Sequence, residues 1–217
     1  MQIWDPFGTL ARTLWLGGAQ WAGKSTVARL LAHRYGLTAY HHDYPAARSH
    51  VDRYALAALR RGEPDPTLDD ERRWVDTTPE RMAADCRRGW PALFDYALDD
   101  LRALVGGRPV LAEGWALRPE LVAPLLDAPD RMAVMVPSPA FVEHQTRVLD
   151  RAKGLTAAVS DPGLAQRNRL ARDAILAAEA AAAARRLGIR VFTIDGTRDA
   201  DAMADELADH FARHLPR

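Results

Sequence analysis

Apolar and polar positions along the chain resolve into five short apolar runs separated by longer stretches whose apolar residues recur at helical spacing. The first run is Thr13-Leu14-Trp15-Leu16-Gly17. After a small loop, Thr26 to Tyr35 sets Val27, Ala28, Leu30 and Leu31 on one helical face before Gly36. Leu37 to His42 predicts a second strand that ends in His41-His42-Asp43-Tyr44-Pro45. A helix is expected over 46–61, closed by Gly62-Glu63-Pro64-Asp65-Pro66, and a polar segment then leads to Trp74. Pro79, after Thr78, opens a long helix through Leu104 that stops at Gly106-Gly107. Pro109 to Gly114 predicts a third, buried strand, and 115–126 a short helix beginning near Pro119. Arg131 to Pro137 is the fourth strand, with Ser138-Pro139 opening the next helix. A loop of small and polar residues over 152–163 precedes a long helix from Gln166 to Leu187, and Ile189 to Ile194 gives a fifth strand. The terminal helix, Asp199 to His214, carries Met203, Leu207 and Phe211 at i, i+4 and i+8, so it packs on the sheet. Strands alternating with helices over 217 residues, without an internal repeat, predict one α/β domain spanning 1–217.

Between the first strand and its helix stands Gly18-Ala19-Gln20-Trp21-Ala22-Gly23-Lys24-Ser25, which fits G-x-x-x-x-G-K-[ST]. Strand, loop and helix are the context that this motif requires. In such a loop, backbone N–H groups of Gly18 through Thr26 and the helix N-terminus face a triphosphate. Lys24 reaches the β- and γ-phosphates, and the Ser25 hydroxyl ligates Mg²⁺. Composition sharpens the reading. Of 29 basic residues only Lys24 and Lys153 are lysine, so an arginine-rich chain has kept lysine where a compact ammonium on a flexible stem is wanted.

Formal net charge is zero, so the chain has no electrostatic footprint for nucleic acid or an anionic membrane. The single cysteine, Cys86, allows no intramolecular disulfide and reads as a helix-packing residue. The N-terminal Met1-Gln2-Ile3-Trp4-Asp5-Pro6 has no basic stretch followed by an apolar run, and no segment is apolar for the length of a bilayer; a soluble, cytoplasmic protein, monomer or homodimer, is expected. The alanine-rich 177–184 reads as composition bias on a helix.

Candidate chemistry sits at the predicted strand ends, where parallel α/β sheets hold their ligands. Asp43, after the second strand, is either the group that orients or deprotonates a phosphoryl acceptor, or a helix N-cap or Asx-turn before Pro45. His41 and His42 are adjacent, so they point to opposite faces and read as packing or rim residues rather than a metal pair. Glu113, closing the third strand, either positions Mg²⁺ beside the phosphate loop or is a rim carboxylate paired with Arg118. Gly114 lets backbone pass close to a ligand.

Two segments exceed what a minimal sheet needs. Residues 44–106 are expected to form an acceptor-binding helical insert, with Tyr44, Trp74, Trp90 and Tyr96 either lining it or packing in the core. Over 147–172, Arg147 and Arg151 precede a loop and Arg167, Arg169 and Arg172 follow it; this is either a lid that delivers guanidinium groups to a transferring phosphoryl, or a solvated, salt-bridged face. Asp195-Gly196, after the fifth strand, is placed beside the nucleotide base.

Taken together, strand–GxxxxGKST–helix, Asp43, Glu113-Gly114, the arginine-flanked segment and Asp195-Gly196 make the chain resemble the P-loop kinase superfamily. Within it, nucleoside and nucleoside-monophosphate kinases and small-metabolite kinases such as the shikimate and gluconate types look closest. The resemblance implies a three-layer α/β/α fold with a parallel five-stranded sheet in the order 2-3-1-4-5. ATP–Mg²⁺ would lie across the strand C-termini, and a small-molecule phosphoryl acceptor under the segment between strands two and three. Trp21 departs from it, standing where many of these kinases have a middle glycine. An NTPase without acceptor and a non-catalytic nucleotide-binding regulator are the competing functions.

Overall fold

Five strands form a single parallel sheet in the order β2-β3-β1-β4-β5. They are β1 (Leu14–Gly18), β2 (Thr38–His41), β3 (Val110–Glu113), β4 (Met132–Pro137) and β5 (Arg190–Ile194). The computed structural model describes residues 4–64, 69–149, 152 and 158–216. Ten α-helices accompany the strands among these residues: α1 (Thr9–Arg12), α2 (Lys24–Tyr35), α3 (Asp43–Ala46), α4 (Ser49–Arg60), α5 (Asp70–Trp74), α6 (Pro79–Arg102), α7 (Pro119–Val122), α8 (Pro139–Val148), α9 (Pro162–Arg186) and α10 (Ala200–Phe211).

The strands are apolar throughout because both faces are covered, as parallel sheets require. Alternation sends Leu14, Leu16, Leu111, Ala133 and Met135 to one face, against Val27, Ala28 and Leu31 of α2 and Met203, Leu207 and Phe211 of α10. Trp15, Val110, Ala112, Met132 and Val134 go to the other, against Phe94, Leu98 and Leu101 of α6 and Ala180 and Ala184 of α9. The alanine run is therefore a packing device. Ala180 and Ala184 are fully buried, and their small side chains bring a long helix close to the sheet.

Several boundaries differ from expectation for local reasons. The helix predicted over 46–61 is α4, starting at Ser49 because Arg48 leaves helical geometry at φ −135°, ψ −102°, and a separate short α3 precedes it. α9 begins at Pro162 rather than Gln166, since the Asp161 side chain accepts the Leu164 N–H at 2.8 Å and Pro162 takes a first-turn position. The helix predicted over 115–126 is the short α7 followed by a 3-10 turn at Ala123–Leu125, where Pro124 lies. Between β2 and β3 the described residues form four helices, α3 to α6. No helix among the described residues is long and apolar enough to cross a membrane.

Candidate active site at the strand C-termini

The phosphate loop runs from the end of β1 to the start of α2. Gly18 opens it at φ 122°, and a Cβ there would lie 2.1 Å from the Met135 carbonyl oxygen of β4, so only glycine fits. Gly23 closes it in the left-handed region (φ 77°) as the residue before α2, and a Cβ there would meet only open space. Gly23, Ser25 and Thr26 are exposed, so the loop and the first turn of α2 stand open to the solvent side. First-turn amides of a helix have no intrahelical partner, and they present partial positive charge there. Lys24 is buried and its Nζ donates to the Ala19 carbonyl oxygen of the same loop at 2.8 Å.

Beside the loop, the register of the sheet brings three side chains together. His41 of β2 lies opposite Glu113 of β3, and both project to the α2 face, whereas their neighbours Tyr40 and Ala112 project to the α6 face. Glu113 is 1 % exposed. Its Oε1 accepts the Ser25 hydroxyl at 2.9 Å and pairs with His41 Nδ1 at 2.8 Å. Its Oε2 is buried and has no hydrogen-bond partner. A carboxylate held by one oxygen, with the other unmatched beside the motif serine, fits a divalent cation and its water shell. His41, 35 % exposed, is a rim residue that also bonds Glu113, and Glu113 does not pair with Arg118, whose guanidinium goes to Glu120 at 3.2 Å and to the Leu176 carbonyl oxygen at 3.0 Å.

Asp43 begins α3 directly after β2. It neither caps that helix nor closes an Asx-turn; its Oδ1 accepts the Trp115 N–H at 2.7 Å, just beyond β3, and its side chain keeps 40 % exposure. Gly114 makes this possible, because a Cβ there would lie 2.8 Å from His42 Cβ and 3.1 Å from Asp43 Oδ1. His42 falls on the opposite side from His41, fully buried, with its ring 5.7 Å from that of His50. His50 and Tyr40 both reach Asp100 of α6 at 2.8 Å. Burial pushes the His42 imidazole pKa down, opposed by the Asp43 charge.

The predicted arginines divide. Arg147 is exposed on α8 and pairs loosely with Glu143 at 3.8 Å, the geometry of a solvated helix face. Arg151 lies outside the described residues. Arg169 and Arg172 are each 7 % exposed on the inward stripe of α9. Arg172 forks onto Asp173 Oδ1 at 2.6 and 3.0 Å and stacks on the rings of Trp115 and Trp74. Arg169 stacks on Trp21 of the phosphate loop, 5.0 Å from ring centroid to guanidinium carbon. Trp74 and Trp115 thereby sit at the site, whereas Trp90 packs edge-on against Trp115 in a buried cluster that also touches Cys86. Asp195 is exposed and accepts the Thr197 N–H and hydroxyl, closing a turn on its own account, and Gly196 adopts φ 87° against Phe141.

Sequence reasoning did not anticipate His41 or Asp173 at this site. For His41 the signal was available in principle: a polar residue opposite Glu113 in a β2–β3 register. Asp173 adjoins Arg172 on a helix and carried no signal of its own.

A parallel sheet ordered 2-3-1-4-5, with the glycine-lysine-serine loop after its central strand and Glu113 alongside, fixes the fold. The architecture is the three-layer α/β/α fold of P-loop NTPases. No protein-family model matches the chain, and no curated protein matches it. Among solved structures it is similar to a shikimate kinase from Acinetobacter baumannii in complex with shikimate, at 18 % identity and TM-score 0.48 over 94 % of this chain and 95 % of that one. It is also similar to a sugar kinase from Janibacter sp., at 14 % identity and TM-score 0.46 over 95 % and 99 %. A gluconokinase from Sinorhizobium meliloti 1021 is similar at 16 % identity and TM-score 0.40 over 94 % and 92 %.

Proposed function

We propose that the protein is an ATP-dependent small-molecule kinase, transferring the γ-phosphoryl group to a hydroxyl or phosphate oxygen of a nucleoside, nucleotide or small metabolite. The observation that carries the reading is the convergence at one sheet edge of an open glycine-lysine loop, the buried Glu113 bonded to the motif Ser25, and the half-exposed Asp43. A bare nucleotide-binding module has no need of the last of these.

The loop amides and the α2 N-terminus hold the phosphates, and Lys24 leaves the Ala19 carbonyl to bridge β- and γ-oxygens. Ser25 and Glu113 would hold Mg²⁺, which would supply positive charge against the phosphates. Asp43 keeps one oxygen on the Trp115 amide, which fixes its carboxylate, and accepts the acceptor's hydroxyl proton. The acceptor oxygen then bonds to the γ-phosphorus as the bond to the β–γ bridging oxygen breaks, and ADP leaves with that electron pair. Arg169 and Arg172 supply positive charge from α9. Among the described residues, α3 to α6 form the acceptor side, and α9 contributes Arg169 and Arg172 to the closing side; the loop between α8 and α9 lies largely outside the described residues.

The test is transfer from γ-labelled ATP. Asp43→Asn keeps Mg·ATP affinity within a few-fold and loses transfer by about 10²–10⁴-fold, the range for a general base. Lys24→Ala loses both. Wild-type turnover by Asp43→Asn would refute the assignment.

A further inference from the structure

Glu113 is held by its backbone and by one side-chain oxygen. Its carbonyl oxygen accepts the His42 N–H at 2.9 Å, and the following Gly114 N–H donates to the Leu16 carbonyl oxygen of β1 at 3.2 Å. Its side chain receives two donors from two different elements, and both go to the same oxygen. The Ser25 hydroxyl comes from the first turn of α2 and His41 Nδ1 from β2, at 2.9 and 2.8 Å from Oε1. An ionised carboxylate only accepts, so the hydrogen of the second contact sits on His41 Nδ1. Two donors on Oε1 and none on Oε2 is an uneven arrangement for a group 1 % exposed, because a buried carboxylate oxygen without a partner is costly. Moving either donor to Oε2 would even the load, and neither moves. His41 stands directly opposite Glu113 on the same face of the sheet, and that register brings its ring to Oε1.

We propose that His41 is a positioning residue for the cation site: its Nδ1–H, together with the Ser25 hydroxyl, pins Oε1 of Glu113 and so keeps Oε2 for the divalent cation that accompanies the nucleotide. The inference rests on the kinase reading for the identity of the ligand. A hydroxyl has one hydrogen and two lone pairs, so Ser25 can keep its bond to Oε1 while its oxygen faces the cation. Ser25 then serves the ion as well as the acid, and His41 is the anchor that serves Glu113 alone. Partners of this outer kind hold metal-ligating carboxylates in place, and losing one lowers metal affinity by about 10–100-fold. The side chain of His41 is 35 % exposed on the edge strand β2, so replacing it removes little core packing.

The experiment is calorimetric titration of the full-length protein with ATP in Mg²⁺ and with ATP in EDTA, which isolates the cation's share of binding without needing an acceptor. Wild type is expected to bind Mg·ATP at least about tenfold more tightly than metal-free ATP, since the anchor's loss is to remove that much. His41→Leu, which fills the position but offers no donor, should lower Mg·ATP affinity by about 10–100-fold and leave metal-free ATP within a few-fold. His41→Asn, whose side-chain amide offers an N–H in place of Nδ1, should keep most of the wild-type gap; His41→Ala serves if His41→Leu does not fold. With Mn²⁺ in place of Mg²⁺, pulsed EPR of the Mn·ATP complex should show the same nitrogen couplings in wild type and His41→Asn. Equal losses for Mg·ATP and metal-free ATP would overturn the proposal, as would an undiminished gap in His41→Leu or a His41→Asn as weak as His41→Leu. A metal-bound nitrogen that disappears in His41→Asn would overturn it as well, because His41 would then be a ligand. Equal wild-type affinity with and without Mg²⁺ would overturn it too, and absence of any nucleotide binding would instead overturn the kinase reading beneath it.

Discussion

Replacing Glu113 by glutamine separates what the site does for the fold from what it does for a ligand. The amide oxygen can accept from Ser25 and His41 as Oε1 does now, at 2.9 and 2.8 Å, so the ligand-free contacts survive. At the other position an uncompensated carboxylate oxygen becomes an N–H₂ with no protein acceptor beside it, which exchanges one buried mismatch for another. The ligand-free variant should therefore unfold within about 1 kcal/mol of wild type, or roughly 2–4 °C for a chain of this size. Ligand stabilisation should behave differently. With Mg·ATP at about 100 times its Kd, wild type gains about 2.7 kcal/mol by mass action, or roughly 5–11 °C. Loss of a carboxylate that orients a metal ligand lowers affinity by about 10–100-fold. At the upper end the same nucleotide concentration gives only about 0.4 kcal/mol, or roughly 1–2 °C. Thermal unfolding with and without Mg·ATP reads both numbers from one preparation. A Glu113→Gln variant with the full wild-type shift would refute the metal role, and one that unfolds ten degrees lower without ligand would show that Oε2 has a partner in the protein.

Other outcomes follow from packing and charge. Gly114→Ala forces a Cβ to within 2.8 Å of His42 Cβ, so it should destabilise by about 1–3 kcal/mol and weaken acceptor-dependent turnover by moving Asp43; an unchanged urea midpoint would contradict the close approach. Burial lowers the His42 pKa, so the unfolded chain binds that proton more readily and stability falls as pH drops below about 6.5. His210 shifts the same way, and His42→Gln should flatten the acid limb in part; an identical slope in the variant would remove His42 as a cause. Phe211→Ala, deleting a fully buried ring between α10 and the sheet, should cost about 3–5 kcal/mol. By contrast Arg34→Ala, at an exposed fork to Asp201 and Asp205, should cost less than about 1 kcal/mol, and denaturant titration ranks the two.

The sheet was legible in the sequence because its strands are short apolar runs bounded by glycine, proline and caps, and a parallel strand buried on both faces leaves that trace. Helix ends were less legible. Asp161-Pro162 is a start signal hidden among small residues, and Arg48, where α3 and α4 part, is itself neither glycine nor proline. At the site, the residues belonging to a contiguous motif were readable, together with Asp43 and Glu113, since strand ends carry ligands in such sheets. What was not readable is pairing across distance. Whether Glu113 meets Arg118 or His41 depends on the β2–β3 register, and a shift of one residue would turn His41 to the other face. The arginines show the same limit. Spacing put Arg147, Arg169 and Arg172 on helices but not on a side; only the packing of α9 separates the buried pair from the exposed Arg147. Trp21 read as a departure from a pattern, and its contacts with Asp173 and Arg169 depend on how α9 packs against the loop.

The most direct test of the central claim is ADP release from Mg·ATP by the purified protein, against a panel of nucleosides, nucleoside monophosphates, sugars, polyol acids and aminoglycoside-like alcohols, with Lys24→Ala as the blank. The account predicts a rate stimulated by one acceptor class and absent from the blank. A panel as flat as the blank, with Mg·ATP bound tightly, would contradict it and leave a nucleotide-binding protein that transfers nothing.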